Sequence, residues 1–385
     1  MLRNIYLKEI KDSFRDRRTL LLTVLLPLVM MTGLTFFYES LMSDGDGDVY
    51  NLAVSEAISE EEKAILQGYE NIKIILVQNP EEMVQEGEAH AALLFEEGFI
   101  EKINNGDEAG VTILGDSFSQ KSSFLMNLVS SALTVLEKDV ISTRLTTLGL
   151  DTQLVQPISV HYQELAEDNT SANLLAMLIP LILALAIGVG AGPAASDLFA
   201  GEKERKTMEA LLMTPVKRST LLLAKWLTIS TIGALTGIIT LLVVSIEIYF
   251  FTENLKQSLS GHENLLLIMG IAIVIAIVYA MLVASILMVT SIAAKTVKES
   301  QSYSSPIMML TVFPLMIITG IGVNELAFHH FAIPILNLFS LLKELIVGVV
   351  NYEHIFITIG SNIICLAILF VVGRIMFLKD KWVMN

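Results

Sequence analysis

Between Leu265 and Ala294 thirty consecutive residues carry no charge. A run of that length leaves no polar face for water, and it exceeds the roughly twenty apolar residues that a helix needs to cross a bilayer. Thr19–Tyr38 and Leu174–Ala195 are also uncharged, and Trp226–Phe251 is broken only by Glu247. Tyr303–Val323 contains Pro306 and Pro314, and Ile355–Phe377 has one charge, Arg374, near its end. The pattern predicts a polytopic α-helical membrane protein with six spans: 19–38, 174–195, 226–251, 265–294, 303–323 and 355–377. A mean hydropathy of +0.63 agrees.

Charge divides the rest of the chain. The net charge of −15 argues against a nucleic-acid partner. From Glu39 to Asp168 there are 25 acidic and 6 basic residues, so the remainder is net basic. The acidic block, 39–171, reads as one α/β domain. Val49–Ser55, Ile72–Val77, Ala89–Phe95 and Val111–Leu114 have strand texture. Ser59 and Glu62 form a capping box ahead of a helix, Asn79-Pro80 opens another, and Ser119–Leu148 is a long helix ended by Gly149.

The bases set an orientation. Residues 1–18 hold Arg3, Lys8, Lys11, Arg15, Arg17 and Arg18; the segment 197–225 holds six more, and Lys295, Lys298 and the tail add the rest. The short connections on the opposite side hold only Lys256 and Lys343. By the positive-inside rule both chain ends, residues 197–225 and 295–301 face the cytosol of a bacterial inner membrane, and the acidic domain faces outward. A cleaved leader is the alternative for 19–38, but no small-x-small site follows before Glu39. The first eighteen residues read as an interfacial helix. Residues 324–353 are apolar but broken by His329, His330, Pro334, Asn337, Lys343 and Glu344, and read as two half-helices re-entering from outside.

The segment 197–225 stands out within that frame. Met208, Leu211 and Leu212 fall on one helical face, charges precede them, and Thr214 before Pro215 stops the helix. An ordinary basic loop explains Lys203, Arg205, Lys206, Lys217 and Arg218, but an apolar face needs a partner groove or the lipid interface. The order Glu202, Lys203, Glu204, Arg205, Thr207, Glu209, Leu211, Leu212, Thr214, Pro215, Val216, Arg218 and Lys225, placed between the second and third spans, resembles the ABC-2 permease family. The likeness is greatest to its sodium-efflux branch in Bacillus-type bacteria. It implies that the segment is a coupling helix receiving an ATP-binding subunit, with Glu202, Glu204, Arg205, Thr207, Met208, Leu211, Leu212 and Pro215 at the contact. It also implies a twofold dimer of this chain with two ATP-binding subunits, and export of sodium by alternating access.

Other constellations are weaker. No P-loop occurs, so ATP and Mg are expected on the partner subunit and no cofactor on this chain, which is not an enzyme by itself. Asp44, Asp46 and Asp48 imitate the start of a calcium loop, but Val49 and Ser55 occupy the positions that need glycine and glutamate, and an acidic linker fits better. Gly188, Gly190 and Gly192 read as close helix packing. Four histidines stand apart in sequence and His329–His330 are adjacent, so no zinc pattern or catalytic triad is visible. Ionisable groups inside spans are costly and therefore functional candidates. Glu247, Asn337, Ser340 and Glu344 are the candidate ion path, with snorkelling the plainer reading of Glu247. The same spans suit a drug, peptide or lipid substrate, and a non-transporting transmitter acting on a cell-wall partner is a third reading. Lipid is a partner in every case.

Overall fold

A computed structural model describes residues 1–15, 17–47, 49–65, 69, 71–151, 170–253, 255–256 and 265–383. It divides into two units, Met1–Leu41 with Ala166–Asn385, and Met42–Leu165. The chain opens with α1 (Leu2–Arg15) and α2 (Arg17–Gly47), the latter continuous through Pro27.

The smaller unit alternates strands and helices: β1 (Tyr50–Ser55), α3 (Glu60–Ala64), β2 (Ile72–Val77), α4 (Pro80–Gln85), β3 (Ala91–Phe95), α5 (Phe99–Asn105), β4 (Val111–Gly115) and α6 (Gln120–Thr147). The sheet order is β2-β1-β3-β4, with β1 parallel to both neighbours and β4 antiparallel to β3. The central strand is buried on both faces at Leu52, Ala53 and Val54, which is why it reads as a continuous apolar run. Leu125 and Val129 of α6 cover one face, and Met83 and Val84 of α4 the other. Ser59 and Glu62 make the expected reciprocal cap of α3, and Gly149 ends the long helix with φ +69°. α5 has no marker in the sequence pattern; Arg144 closes it by donating to the Ile103 carbonyl at 2.7 Å.

The larger unit continues with α7 (Thr170–Ser196), a π turn (Asp197–Gly201), α8 (Glu202–Glu204), α9 (Thr207–Leu212), α10 (Arg218–Phe251), α11 (Leu265–Ala293), α12 (Val297–Leu310) and α13 (Phe313–Ile318). After a 3-10 turn (Val323–Glu325) come α14 (Phe328–Ala332), α15 (Leu336–Ile346), α16 (Tyr352–Leu378) and α17 (Asp380–Val383). Among the described residues five helical stretches are long and apolar enough to cross a membrane: Ala172–Glu204, Arg218–Phe251, Leu265–Ala293, Val297–Ile318 and Tyr352–Leu378. The first expected span lies within α2, where the described apolar stretch is the shorter Val24–Phe37.

α11 packs against α7, α10 and α16, and α15 against α7. Small residues allow the closest approach: a methyl built on Gly190 would lie 2.4 Å from Thr236 Oγ1, and one on Gly237 2.8 Å from Ile187. Gly188 meets Met308 in the same way, whereas a methyl built on Gly192 would meet nothing within 4 Å. Hydroxyl pairs also join helices, with Ser300 of α12 bonded to Ser196 at 3.0 Å and to Ser291 at 2.8 Å. The helix expected from Tyr303 begins earlier, at Val297, because Thr296 accepts from the Glu299 N–H and the Glu299 carboxylate accepts from the Lys295 N–H. Pro306 is held inside α12, and the break before α13 precedes Pro314.

Candidate functional site

Three consecutive charges, Glu202, Lys203 and Glu204, reach three different parts of the larger unit. α7 passes through the π turn into α8 without a cap, so these side chains fan out around one turn. Lys203 is buried at 6% exposure and donates to the carbonyls of Ile292 and Ala294, at 2.6 and 2.7 Å, and of Trp382 at 2.9 Å. It satisfies the orphan carbonyls at the end of α11 and ties in the chain's last helix. Its role is therefore helix capping rather than that of a loop cation. Glu204 accepts from the Val297 N–H at 2.9 Å, at the start of α12, where a carboxylate also suits the helix dipole.

Glu202 turns the other way. Its carboxylate accepts from Lys225 Nζ at 2.5 Å, and the fully buried Lys225 lies 3.7 Å from Glu9 on α1. Lys8, half-exposed, pairs with Glu9 at 3.5 Å, so two carboxylates share two ammonium groups. Tyr6 bonds Thr231 at 2.8 Å and fixes α1 along α10. Glu202, expected at the partner contact, thus has its carboxylate engaged by the chain's own Lys225. Losing one member of a buried charge pair typically costs about 3–5 kcal/mol, since the remaining charge stays desolvated.

Beyond Glu204 the chain breaks. Lys206 adopts a left-handed conformation, φ 58°, which is costly for a residue with a Cβ, and α9 starts afresh from it. Arg205 bonds back to Asp197 at 2.8 Å, and that bond raises the guanidinium above its ordinary value. The pair needs Gly201: a Cβ there would lie 2.7 Å from Asp197 Oδ1. On α9, Met208 is 1% exposed and Leu211 and Leu212 are half-buried against the unit's own core. The apolar face expected to await a partner is occupied by the chain itself. The surface left open is Lys206, Thr207, Glu209, Ala210, Met213 and Pro215, with Met213 88% exposed.

The candidate ion-path residues fall into two places. Glu247 of α10 is buried and bonded by Thr32 of α2, so it is packed within the chain rather than snorkelling. Asn337, Ser340 and Glu344 are all buried on α15, whose other edge meets α16. Lys343 points away and donates to the carbonyls of Ile318 and Ile321, at 3.0 and 2.6 Å. Glu344 meets His354 Nδ1 at 2.8 Å, and the His354 ring stacks on Phe331 with centroids 3.8 Å apart. Asn337 donates to Ser361 at 3.0 Å and accepts from Asn362 at 3.3 Å. His354, which looked isolated in sequence, is therefore part of the cluster. His354, Thr358 and Asn362 recur every four residues, a polar stripe on the last apolar helix that sequence periodicity alone exposes in retrospect.

A cavity of 310 Å³ lies among α7, α10, α11 and α15, lined by Leu241, Val244, Ile248, Met269 and Leu345, with Lys256 at its edge over the Tyr249 ring. Asp44 and Asp46 lie on the last turns of α2; Asp48, His161 and His262 lie outside the described residues. Among the described residues no three His, Cys, Asp or Glu side chains form a metal cluster.

The family model described as ABC-2 family transporter protein matches residues 3–382. Over all 385 residues, and over the full length of that relative, the chain is 39% identical to the ABC transporter permease protein NatB of Bacillus subtilis. No solved structure matches the chain.

Proposed function

The chain belongs to the ABC-2 transporter family, and from that premise, as a multi-pass permease subunit of an ABC transporter, we propose that it exports sodium ions, driven by a separate ATP-binding subunit. That subunit carries the ATP and Mg. It docks on the open strip of α9, and two copies of it serve a homodimer of this chain. Both chain ends and α9 face the cytosol, and the Met42–Leu165 unit faces outward, as the distribution of bases favours.

The observation that supports coupling is the fan of Glu202, Lys203 and Glu204. A push on α9 cannot displace α8 without moving the end of α11, the start of α12, Lys225 of α10 and Glu9 of α1 together. A single docking event therefore acts on most of the larger unit, as a switch between inward and outward states requires. Sodium as cargo rests on the family resemblance and on the buried oxygen ligands between α15 and α16.

Sodium-22 flux in proteoliposomes holding this chain and its ATP-binding subunit tests the reading. ATP-dependent flux, lost when the subunit's hydrolysis is inactivated, is expected. The 310 Å³ apolar cavity with Lys256 at its edge favours a second reading, export of an anionic amphiphile. ATP hydrolysis stimulated by such an amphiphile, without sodium flux, would establish that alternative.

A further inference from the structure

We propose that the α15–α16 seam is a cation track with two adjacent positions, one between Glu344 and Thr358 and one between Thr358 and Asn362, each fitted to a dehydrated monovalent ion. The inference rests on the sodium reading and gives it a location.

Three buried oxygens in the seam have no hydrogen-bond partner: Glu344 Oε2, Thr358 Oγ1 and Asn362 Oδ1. Their residues are 3%, 0% and 0% exposed. A buried polar atom left unmet costs free energy, so three in a row between two helices indicate an occupant. The pairs Asn337–Asn362 and Glu344–His354 fix an antiparallel register. In that register Thr358 falls midway, opposite Ser340, whose hydroxyl is already spent on the carbonyls of His330 and Leu336.

The unmet atoms define the ligand. All three accept, and the neighbouring amide donors are engaged, Asn337 on Ser361 and Asn362 on Asn337. An anion would find only the Thr358 hydroxyl as donor, beside the Glu344 carboxylate, whereas carboxylate, hydroxyl and amide oxygens together suit a hard cation. The seam has one carboxylate, and the neighbouring ammonium of Lys343 is committed to carbonyls elsewhere. One negative charge matches a monovalent ion, and the lack of a carboxylate cluster among the described residues disfavours a divalent one. Four helical residues rise about 6 Å, so the levels of His354 and Asn362 stand about 12 Å apart, too far for one ion to bridge. Thr358 is the shared ligand, and an ion advances by exchanging Glu344 for Asn362 around it. His354, stacked on Phe331, holds the Glu344 carboxylate toward the first position.

The test uses the full chain with its ATP-binding subunit. Sodium-22 flux is read in proteoliposomes, and the melting temperature of the solubilised complex in sodium chloride is compared with that in choline chloride at equal ionic strength. The wild type shows ATP-driven flux and a sodium-specific rise in melting temperature. Thr358→Val lowers flux about tenfold and removes the rise, as loss of one ligand to a charged group predicts, and Thr358→Ser retains both. Asn362→Ala provides a second loss variant should Thr358→Val fail to assemble. Undiminished flux and an undiminished rise in these variants place the ion elsewhere and overturn the track, with the sodium reading intact. A wild-type complex that hydrolyses ATP but shows neither flux nor rise removes the sodium reading, and the track with it.

Discussion

The turn around Glu202–Glu204 and the seam between α15 and α16 both bury ionisable side chains, yet they balance them differently. In the turn each charge has a resident counterpart, although Glu202 Oε2 and Glu9 Oε1 accept no hydrogen bond: Lys225 and Lys8 for Glu202 and Glu9, helix-end carbonyls for Lys203, and a helix-start N–H for Glu204. In the seam the carboxylate of Glu344 has only an imidazole, and the nearest ammonium in sequence turns to other partners. A cluster balanced by its own residues is rigid and transmits displacement. A cluster with unmatched acceptor oxygens suits the cation proposed above. On the proposed reading, the difference separates a part that passes on displacement from a part that carries the ion within one helical unit.

The comparison breaks most readily at Lys225. Lys225→Met leaves Glu9 and Glu202 buried together, and is expected to lower stability by about 3–5 kcal/mol. Adding Glu202→Gln to that variant should recover part of the loss. Thermal unfolding of the solubilised complex measures both, and an unchanged melting temperature would show that the turn is not a balanced cluster. Lys203→Met strips charged donors from three carbonyls and should cost about 1.5–3 kcal/mol, with weaker coupling of ATP hydrolysis to transport. Chemical unfolding beside stimulated ATPase rates would check it.

The seam should respond in the opposite direction. Thr358→Val removes a hydroxyl that bonds nothing, so without sodium it should be neutral or stabilising by up to about 1 kcal/mol, even as flux falls. A destabilised Thr358→Val in choline chloride would mean that the hydroxyl has an internal partner and would erase the contrast. The smallest effect on folding belongs to Met213→Asp: at this exposed position stability should stay within about 0.5 kcal/mol of wild type, while co-purification of the ATP-binding subunit is lost. Retained co-purification would move the docking surface off α9.

Much of the helical plan was legible from the residues. Charge-free runs mark long helices because a bilayer excludes unpaired charge, and the capping pair Ser59–Glu62 and the apolar run around Leu52 mark elements whose partners lie nearby in sequence. The early start of α12 was legible too, in Thr296 and Glu299, but was overshadowed by the apolar run that follows. The sites were less legible. Met208, Leu211 and Leu212 do lie on one face, but periodicity cannot say whether that face meets a partner or its own chain. Glu247 looked like an end-of-span residue until Thr32, more than two hundred positions away, was seen to bond it.

The sequence by itself determined the family, the long apolar helices and an acidic α/β insertion, because these follow from composition, short-range periodicity and residue order. Only the tertiary structure decided that Lys203 caps α11, that Glu202 shares Lys225 with Glu9, and that His354, Thr358 and Asn362 face Asn337 and Glu344. Those assignments depend on which charges and orphan carbonyls meet when distant segments pack. A buried polar group is satisfied by whatever stands within about 3 Å of it, and sequence separation does not encode that distance.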